Sequence, residues 1–76
     1  MPRIKILYYQ SKIALNANNP NAYYKLGRLF SEQERWLEAA NSYQQAIKLN
    51  YPNLSKVYHF LAKVLIQLDR LEEVSN

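Results

Sequence analysis

The chain has 76 residues, with ten Lys and Arg against six Asp and Glu for a net charge of +4. A single domain of this size buries roughly 60% of the surface its extended chain exposes. The absence of cysteine excludes a disulfide framework and thiolate metal sites, so stability has to come from packing or assembly. Hydrophobic residues make up 49%, and there are seven Tyr but one Gly, a balance that suits an all-α fold and argues against disorder or a turn-rich β fold. The basic excess is compatible with an acidic peptide, nucleic acid or an anionic surface as partner.

The first predicted helix covers 4–16, with Ile6, Tyr9 and Ile13 spaced to share one face. Asn16-Ala17-Asn18-Asn19-Pro20 ends it and starts the next. Asn19 is placed to cap that second helix, and Pro20 falls at its first position, where a missing N–H does no harm. The second helix runs over about 20–33 and the third over about 36–50, with a turn at Glu34-Arg35 between them. Asn50-Tyr51-Pro52-Asn53 makes another turn before a fourth helix over about 54–68. Asp69-Arg70 is expected to turn the chain again, and Leu71-Glu72-Glu73-Val74 to begin a fifth helix.

Tyr23, Leu26, Gly27 and Phe30 lie at i, i+3, i+4 and i+7, one face of a helix, and Trp36, Ala39, Ala40, Tyr43, Ala46 and Ile47 repeat that spacing on the next. The lone glycine sits mid-helix, where it costs on the order of 1 kcal/mol relative to Ala. Close approach of a neighbouring helix explains such a residue, and Ala39 is the expected partner.

A shift of 35 places Tyr23 on Tyr58, Leu26 on Leu61, Gly27 on Ala62, Phe30 on Leu65, Trp36 on Leu71, Glu38 on Glu73 and Ala39 on Val74. A backward shift of 34 places Tyr43 on Tyr9, Ile47 on Ile13 and Leu49 on Leu15. Y-x-x-L-G-x-x-F at 23–30, A-x-x-x-Y at 39–43 and Pro52 resemble the tetratricopeptide pattern W-x-x-L-G-x-x-Y, A-x-x-x-F, P, whose period is 34 residues. The resemblance implies antiparallel helical hairpins stacked as a short right-handed α-solenoid fragment. On that reading residues 1–76 form one domain: 4–16 is the second helix of a partial or capping unit, 20–50 a complete unit, and 53–76 a partial second unit.

Lys5 and Lys12 stand where the complete unit has Ala39 and Ala46. Polar residues on a face with no neighbour suit a terminal cap, so Met1 is expected close to a true N-terminus. The other end presents Tyr58, Leu61 and Leu65 to a helix that the chain does not complete. Roughly one and three-quarters units are present, where stacking normally takes about three. Self-association through this uncapped face is therefore expected, as is the alternative that the chain begins a larger multidomain protein.

Catalysis is not expected. His59 is the only histidine; Ser55 lies one helical turn away, but Asp69 would sit about 15 Å further along the helix. There is no G-x-x-x-x-G-K, G-x-G-x-x-G or H-E-x-x-H, and one His with scattered carboxylates falls below what a metal site requires. No cofactor is expected. No apolar run reaches 18 residues, because Lys63 interrupts Phe60–Leu68, so no membrane span is expected. Met1–Tyr9 is too short and too soon polar for a signal peptide, and the expected location is cytoplasmic.

The tetratricopeptide resemblance implies a protein-interaction scaffold whose first helices line a groove for an extended peptide or partner helix. The stripe opposite the packing face carries Asn21, Lys25, Arg28 and Glu32, flanked by Tyr24, and on the later helix Lys56, Phe60, Lys63 and Gln67, flanked by His59. Asn21, Tyr24, Lys25, Arg28, Lys56, His59, Phe60 and Lys63 are the candidate partner-binding residues. Their cations suit carboxylates and their rings suit apolar contact, so a protein or peptide carrying acidic groups is the expected partner. The family's carboxylate-clamp members grip a chain terminus with a Lys/Asn/Asn/Lys/Arg set. Tyr24, Arg28, Phe60 and Lys56 occupy those positions here, so binding of chaperone tails is not implied. A competing reading is RNA binding, since pentatricopeptide repeats also use helical hairpins of similar period. Leu26-Gly27 between Tyr23 and Phe30 favours the tetratricopeptide reading.

Overall fold

The computed structural model describes the backbone of residues 2–75 and the side chains of 3–72. Four helices account for nearly all of it: α1 (Pro2–Leu15), α2 (Pro20–Glu32), α3 (Trp36–Lys48) and α4 (Leu54–Ser75). The expectation for Met1, and those for the side chains of Glu73 and Val74, lie outside the described residues. α2 and α3 form the central hairpin, α1 packs on α2 alone, and α4 packs chiefly on α3 with a smaller contact to α2.

The helix boundaries follow from local chemistry. Asn19 precedes α2 and its Oδ1 accepts from the Ala22 N–H at 3.2 Å, with Pro20 at the first helical position. Asn53 does the same for α4, accepting from the Lys56 N–H at 3.2 Å. These caps satisfy backbone donors that the first helical turn leaves without partners.

α2 and α3 end alike. Glu34 and Asn50 take positive φ, 59° and 63°. After α2, the Arg35 N–H donates to the Phe30 carbonyl at 2.9 Å and the Glu34 N–H to the Ser31 carbonyl at 3.0 Å. After α3, the Tyr51 N–H donates to the Ala46 carbonyl at 2.9 Å and the Asn50 N–H to the Ile47 carbonyl at 3.0 Å. Each is a Schellman ending, closed by a left-handed residue just past the helix.

The core lies along the hairpin. Tyr24, Leu26, Leu29 and Phe30 of α2 pack with Ala39, Ala40, Tyr43 and Ala46 of α3 and with Val57, Leu61 and Val64 of α4, and Ile6 joins from α1. Tyr23, assigned to the packing face by spacing, is only partly buried.

Gly27 does permit a close approach, but its neighbour is Tyr43 rather than Ala39. A Cβ at position 27 would stand 2.5 Å from Tyr43 Cε1 and 2.6 Å from Cδ1. The missing side chain makes room for the ring itself.

The C-terminal end also departs from expectation. Asp69-Arg70 does not turn, and α4 runs unbroken to Ser75. Leu65–Glu72 contains no Gly or Pro, and Leu, Gln, Arg and Glu are good helix formers. The equally Gly-free turn at 33–35 forms because α3 packs back on α2; no described segment packs back on α4 in this way. Of the three residues expected to face a following helix, Leu61 is buried in the core, whereas Tyr58 and Leu65 are about half exposed.

Candidate partner-binding groove

Tyr24 was expected to flank the groove as an accessible ring, but it is buried, 1% exposed, at the centre of an aromatic cluster. Its ring centroid lies 4.7 Å from that of Tyr51 and 6.1 Å from those of Tyr43 and Phe60. The position faces the partly buried neighbours Phe60 and Tyr51 rather than solvent, so the hydrophobic term outweighs display.

The cations are laid over this cluster. The Arg28 guanidinium sits 4.3 Å from the Phe60 centroid, and its Nη1 donates to the Tyr24 hydroxyl at 3.0 Å. Lys56 Nζ lies 5.4 Å from the Tyr24 centroid and Lys63 Nζ 5.9 Å from that of Phe60. These are cation–π distances, and they hold three positive charges on one aromatic bed between α2 and α4. His59 stands exposed with its ring edge-on to Phe60 at 5.4 Å.

Two clefts meet along α2. The first, about 510 Å³, opens between α1 and α2 and is lined by Lys5, Tyr8, Tyr9 and Lys25. The second, about 310 Å³, opens between the hairpin and α4 and is lined by Ser31, Trp36, Tyr43, Phe60, Lys63, Val64 and Gln67. Arg28 and Glu32 line both and form the ridge between them. The structure therefore brings Arg28, Lys56, Phe60 and Lys63 together around the buried Tyr24 ring. Lys25 lies across the ridge, on the α1 side. Asn21 is exposed and lines neither cleft.

The second cleft contains residues that spacing assigned to packing or did not single out as binding residues. Tyr43 is buried, its ring 6.4 Å from Phe60. Neither its hydroxyl nor Ser31 Oγ has a hydrogen-bond partner among the described residues. Burial pushes the Tyr43 pKa above its ordinary value of 10.0 because desolvation penalises the phenolate. Nearby Ser31 and Arg28 temper that rise; Ser31 lies beside the phenol, but the pair does not reach hydrogen-bond geometry, so both oxygens stay without partners. Ser31 lies one helical turn beyond Arg28 and Gln67 one turn beyond Lys63, so the stripe that carries the cations does lead to the cleft when extended.

A two-helix unit closed by a Schellman turn, with a glycine against a ring and its first helix turned to a basic groove shared with α4, has the architecture of a helical-hairpin repeat. Residues 20–53 match the family model of the tetratricopeptide repeat, which supports assigning this central unit to the tetratricopeptide repeat family. No curated protein and no solved structure gives a significant match. Repeats of this family typically bind proteins or peptides and are in general non-catalytic. No helix among the described residues is long and apolar enough to cross a membrane.

Proposed function

We propose that this chain is a non-catalytic interaction module that holds an extended peptide or a partner's helix, through acidic groups, in the groove lined by α2 and α4. The observation that supports this reading is the row of Arg28, Lys56 and Lys63 over Tyr24 and Phe60. A carboxylate there meets cations already desolvated on one side by aromatic faces, and such contacts are stronger than the same charges in open water.

The test is binding of a fluorescent glutamate-rich peptide to the chain and to a Lys25→Glu, Lys63→Glu variant. The variant is expected to lose binding while keeping its helical circular dichroism. Unchanged binding would place the partner elsewhere. Titration with mixed-sequence single-stranded RNA separates the competing reading, because phosphate contacts weaken steeply as salt rises; no binding at low salt removes it.

Self-association through the C-terminal face is a second reading, supported by Tyr58, Leu65 and Ile66, each about half exposed on α4. Sedimentation of the chain and of a Leu65→Lys variant tests it, with the variant expected to shift toward monomer. A compact monomer at high concentration for the unaltered chain ends it.

A further inference from the structure

We propose that the cleft between the hairpin and α4 is an anchoring pocket for a single carboxylate side chain, Asp or Glu, of the bound peptide. The hydroxyls of Tyr43 and Ser31 are its hydrogen-bond donors, and Arg28 and Lys63 are its counter-charges. This rests on the acidic-peptide reading above and names the residues that would give the peptide its register.

The inference starts from two oxygens that a folded chain does not ordinarily leave as they are. Buried polar side-chain atoms are nearly always paired, and each exception calls for an explanation. Here two exceptions, Tyr43 Oη and Ser31 Oγ, occur in residues that line one cleft. Tyr43 is 0% exposed and held by Gly27 on one side and the Phe60 ring on the other, so its ring is fixed with the hydroxyl beside Ser31 in the cleft lining.

The rest of the lining sets the chemistry. Arg28 and Lys63 supply donors without acceptor capacity, the Gln67 amide can donate, and Glu32 is the single carboxylate. Two hydroxyls and two cations against one carboxylate favour an anion that accepts several hydrogen bonds. A cationic ligand would meet two like charges. Phe60, Trp36 and Val64 form apolar walls suited to the methylenes of the incoming side chain. At about 310 Å³ the cleft is at the small end of ligand sites, with room for a carboxylate side chain and the peptide backbone that carries it. Arg28 now lies over Phe60 with its Nη1 on the Tyr24 hydroxyl; on entry of the carboxylate it exchanges that neutral acceptor for a charged one, the stronger pairing.

Trp36 is the only tryptophan and lines this cleft, so its emission reports occupancy directly. The probe is a hexaglutamate peptide, with hexaglutamine of equal length as control. Hexaglutamate is expected to change Trp36 emission saturably and hexaglutamine is not. A Tyr43→Phe, Ser31→Ala variant is expected to bind hexaglutamate at least tenfold more weakly, with no loss of helicity or thermal midpoint. If that variant binds as well as the unaltered chain while Lys25→Glu with Lys63→Glu abolishes binding, the pocket is overturned and the groove reading stands. Equal binding of hexaglutamine also overturns the pocket. No response to hexaglutamate in the unaltered chain overturns both.

Discussion

The Cα of Gly27 faces the ring of Tyr43 so closely that a methyl group added there would stand 2.5, 2.6 and 2.9 Å from three of its carbons. The ring is fully buried and fixed between Tyr24 and Phe60, so it has little room to retreat. Gly27→Ala gains helix propensity of about 1 kcal/mol, but overpacking in a filled core costs about 1–3 kcal/mol. The expected outcome is net destabilisation, read as a lower thermal midpoint. With Leu in place of Tyr43 the same Gly27→Ala change is expected to cost less, and additive effects would show that the ring is not what excludes the side chain.

Removing the Tyr43 hydroxyl should leave the free chain as stable as before or more so, since Tyr43→Phe deletes an unpaired buried polar group without altering shape. Its pH dependence has a definite sign. The folded-state pKa is raised above 10.0, so between the unfolded and folded values the unfolded chain has lost a proton that the folded chain keeps. Stability therefore falls as pH rises through that range. Thermal melts at pH 8 and pH 11 are expected to show the Phe variant losing less than the unaltered chain over that interval. A parallel loss in both would place the titration elsewhere.

The two left-handed helix endings are not equally comfortable. Glutamate in that conformation costs about 1–2 kcal/mol, whereas asparagine visits it readily. Glu34→Gly is expected to raise stability by about 1 kcal/mol after the added freedom of the unfolded chain is counted. Asn50→Gly should change it by less than about 0.5 kcal/mol. Urea midpoints of the two variants check the order, and equal gains would contradict it.

Capping should outweigh the surface ion pair. Asn19→Ala removes the acceptor for the Ala22 N–H and is expected to cost about 1 kcal/mol. The Arg35–Glu38 pair is short, 2.6 Å, yet both side chains are nearly half exposed. Glu38→Gln is therefore expected to cost no more than about 0.5 kcal/mol, and less in high salt. Melts of both variants at low and high salt decide between them.

The fold was legible where a residue's local chemistry and its packing agreed. Asn19 and Pro20 announce a helix start whatever surrounds them, and Tyr23–Phe30 with Ala39–Tyr43 carry both the period and the size complementarity of a hairpin. Legibility failed where three-dimensional neighbours decided. Spacing put Tyr24 beside the cations of the groove, but only the positions of Tyr43, Tyr51 and Phe60 show that its ring is enclosed. Asp69-Arg70 is expected to turn the chain, yet nothing in those residues breaks a helix, and α4 continues through them. At the groove, charge spacing puts Lys25, Arg28, Lys56 and Lys63 on one stripe; the structure lays Arg28, Lys56 and Lys63 over aromatic rings and leaves Lys25 on the α1 side. The hydroxyls of Ser31 and Tyr43 stayed hidden, because an absent hydrogen bond leaves no mark on a sequence.

α1 leans on α2 and on no other described helix, and the described side chains of α4 beyond Leu68 stand exposed. The one core draws chiefly on the hairpin and α4, and α1 adds only Ile6 to it among its buried side chains, so the outer layers are the least secured. Amide exchange should therefore be stratified, fastest in α1 and the last turns of α4 and slowest around Tyr43, with the outer layers opening while the middle hairpin stays shut. The centre of the molecule then acts as a keystone, and a ligand that clasps α2 to α4 would slow exchange in both at once, a protection pattern by which occupancy can be recognised without knowing the partner.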